Sequence, residues 1–277
     1  MKLYLKTKDY SFSHQEFELI MDETHEMLVT QPVPDNLDAF YQGDNYISHT
    51  DSKNSWIEAL YQKVKERNII NKLQLIENQQ INCKKLLDIG AGTGDFLSFA
   101  QTRGFDVDGI EPSSKAREKA HEKGVKLKTD IDEINNSTYD VITLWHVLEH
   151  LPNLEEQIGV ISNLLNDDGI LVIAVPNFRS WAAKHYREFW AGYDVPRHLW
   201  HFSQQSIHKL FSKEKMKVRT IKPMWYDAFY VSLLSEKYKG NQLYAISAFF
   251  KGLWSNIQAI FTKEYSSLIY ILEKEKK

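Results

Sequence analysis

The chain of 277 residues holds a single cysteine, Cys83, which excludes an intramolecular disulfide and points to a reducing compartment. It lacks a continuous apolar run in MKLYLKTKDYSFSHQEFELI, so a secretory signal is not expected and the cytoplasm is the predicted location. It also lacks an excess of either charge. A net charge of −3, with acids and bases interspersed, gives no electrostatic basis for binding nucleic acid. Neither internal repeats nor low-complexity tracts occur. One stretch, LYAISAFFKGLWSNIQAIF (243–261), approaches the length of a membrane span, but Lys251, Asn256 and Gln258 interrupt it. Leu243, Ile246, Phe250, Leu253, Ile257 and Ile260 recur there at helical spacing, so an amphipathic helix is predicted instead. With 43% apolar and 26% charged residues, a globular core is expected.

Residues 15–30 read as two short strands around a polar turn at Asp22-Glu23-Thr24. The breaker cluster QPVPDN (31–36) precedes a helical pattern over 54–79. From Lys84 short apolar runs alternate with helical patterns, which predicts a parallel sheet with crossover helices. An aromatic-rich insert, 178–202, follows the fifth strand of this series and ends in DVPRHLWHFS. A helix (203–213), a strand (MKVRTIKP), the apolar helices of 227–261 and a last strand (266–273) complete the chain.

The most informative segment is Leu86-Leu-Asp88-Ile-Gly90-Ala-Gly92-Thr-Gly94-Asp95: a strand, a glycine turn and a helix start. Glycines there let the backbone pass close to a ligand. The dinucleotide spacing G-x-G-x-x-G is not met, because Asp95 stands at the sixth position from Gly90. A carboxylate at that helix N-terminus suits the helix dipole but opposes a pyrophosphate. The second strand ends in Glu111, an acid able to accept from both hydroxyls of a ribose. A phosphate-free nucleoside is therefore expected.

These residues resemble the class I S-adenosylmethionine-dependent methyltransferases over roughly 84–177 and 203–273. The resemblance implies a seven-stranded, Rossmann-like α/β sheet, mostly parallel with the last strand antiparallel and helices on both faces. It implies S-adenosylmethionine as cofactor and a small-molecule acceptor: a sugar, a phenol or a lipid-linked intermediate. Position by position, Gly90, Ala91, Gly92 and Gly94 would line the cofactor and Asp88 would steer its amino end. Glu111 would hold the ribose, Pro112 and Ile131 would flank the adenine, and Asp130 would accept from its amino group. As a single Asp, Asp130 reads equally as a turn-former. Residues 1–53 are expected to form an N-terminal extension whose stretch 40–52 resembles a lid, with Tyr41, Tyr46 and His49 as candidates. Residues 54–277 would form the methyltransferase domain, with cap insertions at 178–202 and 227–262.

His146-Val-Leu-Glu149-His150 matches the inverted zinc-peptidase pattern, but the β-type run before it and Pro152 after it leave no room for the helix that site needs. The family instead commonly shows Leu-Glu-His here, as Leu148-Glu149-His150, with Trp145 and His146 beside the cofactor. The segment also resembles ubiquinone-biosynthesis O-methyltransferases, whose E-x-x-E-H serves a divalent ion. His146 replaces the first acid, which leaves Mg²⁺ or Ca²⁺ poorly served, and no metal is assigned. For a hydroxyl acceptor a general base is expected among His150, His198 and His201. The last two lie in a run resembling Pro-Arg-His-Leu-x-His-Phe-Ser of bacterial small-molecule methyltransferases; both could instead only hydrogen-bond within an aromatic loop. A membrane-surface role for 227–261 stays open beside an acceptor cap. An NAD(P)-dependent oxidoreductase and a non-catalytic binder of S-adenosylmethionine are the alternative readings.

Overall fold

A computed structural model describes residues 2–41, 56–79, 84–134 and 137–276, without the side chains of 38 and 56–65. In chain order the strands are β1 (Lys2–Lys8), β2 (Glu16–Asp22), β3 (Met27–Gln31), β4 (Lys85–Ile89), β5 (Asp106–Ile110), β6 (Tyr139–Trp145), β7 (Leu165–Pro176), β8 (Trp200–His201), β9 (Met216–Pro223) and β10 (Ser267–Lys274). The helices are α1 (Trp56–Glu77), α2 (Asp95–Thr102), α3 (Ser114–Glu122), α4 (Leu154–Leu164), α5 (Trp181–Tyr186), α6 (Gln204–Ser212), α7 (Asp227–Tyr238) and α8 (Tyr244–Thr262).

The central sheet runs β5-β4-β6-β7-β10-β9. β4 through β7 pair in parallel, and β10 is antiparallel to both its neighbours. Such a strand is covered on both faces, so it must be apolar without alternation. Accordingly Ile170 to Val175 of β7 are all buried. One face packs Ile142, Ile173 and Tyr270 with Ile158 of α4 and Phe211 of α6. The other packs Leu86 and Val172 with Leu73 and Ile76 of α1 and Leu97 of α2.

One of the seven strands expected, VKLKTD (125–130), is reduced to one parallel bridge between Ile110 and Lys128. Beyond Lys128 the chain turns at once: Thr129 N donates to Glu133 Oε1 (3.0 Å), and the Asp130 carboxylate accepts from Asp132 N (3.1 Å). These local bonds satisfy backbone groups that a ladder would have used. The sheet class is as predicted; the edge is shorter.

The two strands expected over 15–30 are β2 and β3. With β1 and the two-residue β8 they form a second, antiparallel sheet ordered β1-β2-β3-β8. Between this sheet and the insert lies a third core of Phe17, Leu19 and Leu28 with Tyr186, Trp190 and Tyr193. Most of the insert aromatics are therefore core.

Candidate functional site

β4 delivers the chain into the turn Gly90–Gly94 at the carboxyl edge of the sheet. Gly90 has φ +74°, and a β-carbon there would lie 2.3 Å from a Val147 methyl. Gly92 has φ +54°, but its β-carbon would meet no atom of the described residues within 4 Å. The first glycine is demanded by packing and the second faces open space, as a backbone that a ligand approaches should. Both Gly90 N and Ala91 N donate to the Ile110 carbonyl (2.8 and 2.9 Å), which fixes the turn to β5.

Glu111, just past β5, accepts from Gly92 N and from Ser113 N, each at 2.9 Å. Its carboxylate thus already sits against the glycine turn. Pro112 and Asp130 are exposed and Ile131 partly so, in two segments joined where Glu111 N donates to the Lys128 carbonyl (2.9 Å). Asp95 is not a bare carboxylate: Lys123 Nζ pairs with it at 2.9 Å, and Thr93 Oγ1 donates to it at 2.7 Å. Its repulsion of a diphosphate is weaker than the sequence implied.

Beneath the turn lies a pair of which sequence reasoning saw only half. Asp88 is buried and accepts from Thr143 Oγ1. Burial pushes its pKa up to about 7; Glu111 adds to that, while the Thr143 hydrogen bond and the Lys72 charge oppose it. Lys72 of α1 is pushed down to about 8 by desolvation, against the pull of Asp88. Its Nζ lies 4.5 Å from the Trp145 ring centroid. The buried Trp145 Nε1 has no hydrogen-bond partner among the described residues.

β6 ends at Trp145, and His146 follows with φ +58°. Leu148–His150 form one 3-10 turn, so a zinc-peptidase helix is not present here. Glu149 is 1% exposed, and neither carboxylate oxygen accepts a hydrogen bond from the described residues. It is compensated by charge instead. His146 Nδ1 lies 3.3 Å away, and burial, which opposes its ionisation, is outweighed by His146, His198 and His150, so its pKa is lowered. Reciprocally, burial disfavours charge on His146, but Glu149 outweighs this and raises its pKa.

The three candidate bases meet in space. The His150 and His198 rings are 4.6 Å apart, and His198 and His201 are 6.4 Å apart. Their environments differ. His201 Nε2 faces Thr30 Oγ1 at 2.9 Å; that hydroxyl gives its proton to the His198 carbonyl (2.6 Å), so His201 Nε2 must be the donor. Burial then holds His201 well below the ordinary imidazole range. His198 Nδ1 faces the Gly192 carbonyl at 3.0 Å. His150 Nδ1 lies 3.0 Å from the Arg197 carbonyl and 3.0 Å from Tyr41 Oη. Since a carbonyl only accepts, Nδ1 carries the proton and Nε2 keeps a lone pair. Burial first, and the His198 charge second, lower the His150 pKa to about 4.

Glu149, His150 and His198 bring one carboxylate oxygen and two ring nitrogens within 4.8 Å of one another. One oxygen and two nitrogens suit a borderline ion such as zinc better than magnesium or calcium. The same three groups can also share a proton. Tyr46 and His49 lie outside the described residues.

Arg197, unremarked in sequence beyond its run, holds this wall in place. It pairs with Asp9 (3.0 Å) and Asp194 and donates to the Phe40 carbonyl (3.2 Å), joining the N-terminal sheet, the insert and the stretch before Tyr41. Leu199 N donates to the Glu149 carbonyl (2.8 Å), and Trp200 Nε1 to the Leu151 carbonyl (2.8 Å), so the insert is stitched to the turn that carries His150.

A family model described as "Methyltransferase domain" matches residues 12–218. Among curated relatives, the chain is 32% identical over 104 residues to the ubiquinone biosynthesis O-methyltransferase of Photobacterium profundum, covering 34% of this chain and 44% of that protein. It is 38% identical over 109 residues to the one from Actinobacillus pleuropneumoniae, covering 34% and 46%. The chain spans about half the length of the curated relatives it matches. Among solved structures, a putative sarcosine dimethylglycine methyltransferase from Galdieria sulphuraria superposes with a TM-score of 0.56 at 14% identity, over 77% of this chain and 88% of that one. Magnesium protoporphyrin IX methyltransferase from Synechocystis, with bound S-adenosylhomocysteine, gives 0.53 at 13% identity, over 87% and 94%. These two likenesses concern the fold.

Proposed function

Because the chain belongs to the methyltransferase-domain family, we propose that it transfers a methyl group from S-adenosylmethionine to a small-molecule hydroxyl. The observation that carries this reading is the open side of Gly92 beside Glu111, with the oppositely charged Asp88 and Lys72 beneath. The family's cofactor is an amino acid joined to a nucleoside, and these groups fit its two ends. Glu111 would accept from the ribose hydroxyls, Asp88 would face the ammonium and Lys72 the carboxylate. Trp145 and the His146 backbone would close the methionine side; Pro112, Ile131 and Asp130 would border the adenine.

When bound, S-adenosylmethionine supplies an electrophilic methyl on a sulfonium. The protein's own task is to align the acceptor, exclude water and take a proton. His150 is the base in this reading, because its Nδ1–H is held by the Arg197 carbonyl, which leaves Nε2 as the basic nitrogen. An anionic Glu149 next to it stabilises the imidazolium that forms. His198 would orient His150, and His201 would support the sheet behind them. The relatives named for ubiquinone biosynthesis make a phenol or a lipid-linked hydroxyl the favoured acceptor class.

Calorimetry with S-adenosylmethionine and NAD tests the cofactor. Micromolar affinity for the first and none for the second is expected; the reverse result sinks the reading. With an acceptor in hand, His150→Gln should lower kcat by about 10²- to 10⁴-fold while leaving cofactor affinity unchanged. Full turnover by that variant would remove His150 as the base.

A further inference from the structure

The α7–α8 hairpin is turned inside out. Along α8 the residues that pack against the protein are small or polar: Ala248, Gly252, Ser255, Asn256 and Ala259. Gly252 permits the close approach of α7, since a β-carbon there would lie 2.9 Å from the Phe229 ring and 3.0 Å from its Cα. Asn256 donates to the Trp225 carbonyl at 2.9 Å. The large side chains point the other way. Leu243 is 66% exposed, Phe250 62% and Phe261 79%, with Ile246, Trp254 and Ile260 exposed along the same stripe. A surface helix ordinarily turns such a stripe inward. An outward apolar face of this extent marks an interaction surface.

Charge selects the occupant. The chain as a whole carries −3, yet residues 240–263 contain no acid. Lys237, Lys239, Lys251 and Lys263 rim the hairpin, and among the described residues none of the four is paired with a carboxylate. The nearest acids are spent inward: Glu236 is buried and accepts from Tyr186 Oη and Asn241, and Glu264 accepts from Asn177 and Gln204. Tyr226, Tyr230 and Trp254, all exposed, are of the kind that settles at headgroup depth. Among the described residues no helix is long and apolar enough to cross a membrane. A second copy of the chain on this face would set lysines against lysines with no acid between them.

We propose that the hairpin docks the protein on an anionic lipid surface, with α8 lying in the plane of the headgroups. α7 leaves β9 at the carboxyl edge of the sheet, and Asp227 at its start accepts from Ser267 Oγ, on the β10 residue that pairs with Pro176 at the end of β7. Docking would thus bring the site to the bilayer, and the acceptor would be a lipid or lipid-linked molecule. That last clause rests on the methyl-transfer reading; the docking itself does not.

The test is co-flotation of the full chain with vesicles of phosphatidylcholine alone or mixed with phosphatidylglycerol. Binding to the mixed vesicles, weakened by salt and by omission of phosphatidylglycerol, is expected. Phe250→Ser combined with Phe261→Ser should reduce binding at least about tenfold. Lys239→Gln and Lys251→Gln should each cost about fivefold. All variants should retain wild-type affinity for S-adenosylmethionine. Unchanged flotation of the Phe250→Ser, Phe261→Ser protein overturns the proposal. So does a dimer in light scattering that this variant dissolves, without vesicle binding. Vesicle binding in a protein that takes no S-adenosylmethionine supports docking and removes only the lipid-acceptor clause.

Discussion

Asp88 and Lys72 titrate close together, near about 7 and 8, because burial works on them in opposite directions. Grasping an ammonium requires Asp88 ionised, and that fraction falls below its raised pKa. Grasping a carboxylate requires Lys72 protonated, and that fraction falls above its depressed pKa. Affinity for S-adenosylmethionine should therefore peak between about pH 7 and 8 and decline up to about tenfold per unit on either side, measured by calorimetry across pH. In Lys72→Met the alkaline decline should vanish and the peak affinity should drop about ten- to hundredfold. The glycines give a second contrast. Gly92→Ala should fold at a cost of about 1–2 kcal/mol for its positive φ, but bind the cofactor poorly. Gly90→Ala meets Val147 as well and should unfold at lower denaturant than Gly92→Ala. Asp88 and the glycines were legible because they are contiguous and their spacing has a chemical meaning. Lys72 was not: it stands in a helix full of lysines and glutamates, and only the packing of α1 brings it beneath the turn.

At the level of elements, β8 and the insert are fastened to the N-terminal sheet through Arg197. Asp9 is buried, and although desolvation opposes it, Arg197 and the backbone of Ser13 hold its pKa down at about 2. A depressed carboxyl contributes stability that is present above its unfolded value, about 3.8, and is lost as pH falls toward about 2. Arg197→Leu would leave Asp9 and Asp194 without their cation and should cost about 3–5 kcal/mol in urea unfolding. A loss under about 1 kcal/mol would show that the clamp is not needed. The strands of the central sheet were readable from apolar runs, whereas this clamp spans 188 residues of sequence and leaves no local signature. The helix at 244–262 falls between the two cases. Its periodicity was evident, but a period fixes only that a stripe exists, not whether it faces the core or the solvent.

For the molecule as a whole, the third core decides whether the chain unfolds as one body. Phe17, Leu19 and Leu28 come from the first strands, and Tyr186, Trp190 and Tyr193 from the insert. Leu28 is fully buried, so Leu28→Ala should cost about 2–5 kcal/mol. In a chain of this size that lowers Tm by roughly 5–15 °C, in a single calorimetric transition that moves together with loss of cofactor binding. Two separated transitions would mean that the N-terminal sheet melts independently. The two strands of the N-terminal extension were legible in the sequence, whereas the pairing of β3 with β8 was not, since no pattern near β3 announced that partner.

That pairing has a consequence for synthesis. Thr30 and His201 are 171 positions apart, so a ribosome working at ~5–20 residues per second delivers the partner roughly 10–30 seconds after β3 has emerged. Throughout that interval the nascent hairpin carries an unsatisfied border of amides and carbonyls. Anything that shields it until the aromatic insert arrives, a chaperone above all, should raise the yield of correctly folded protein.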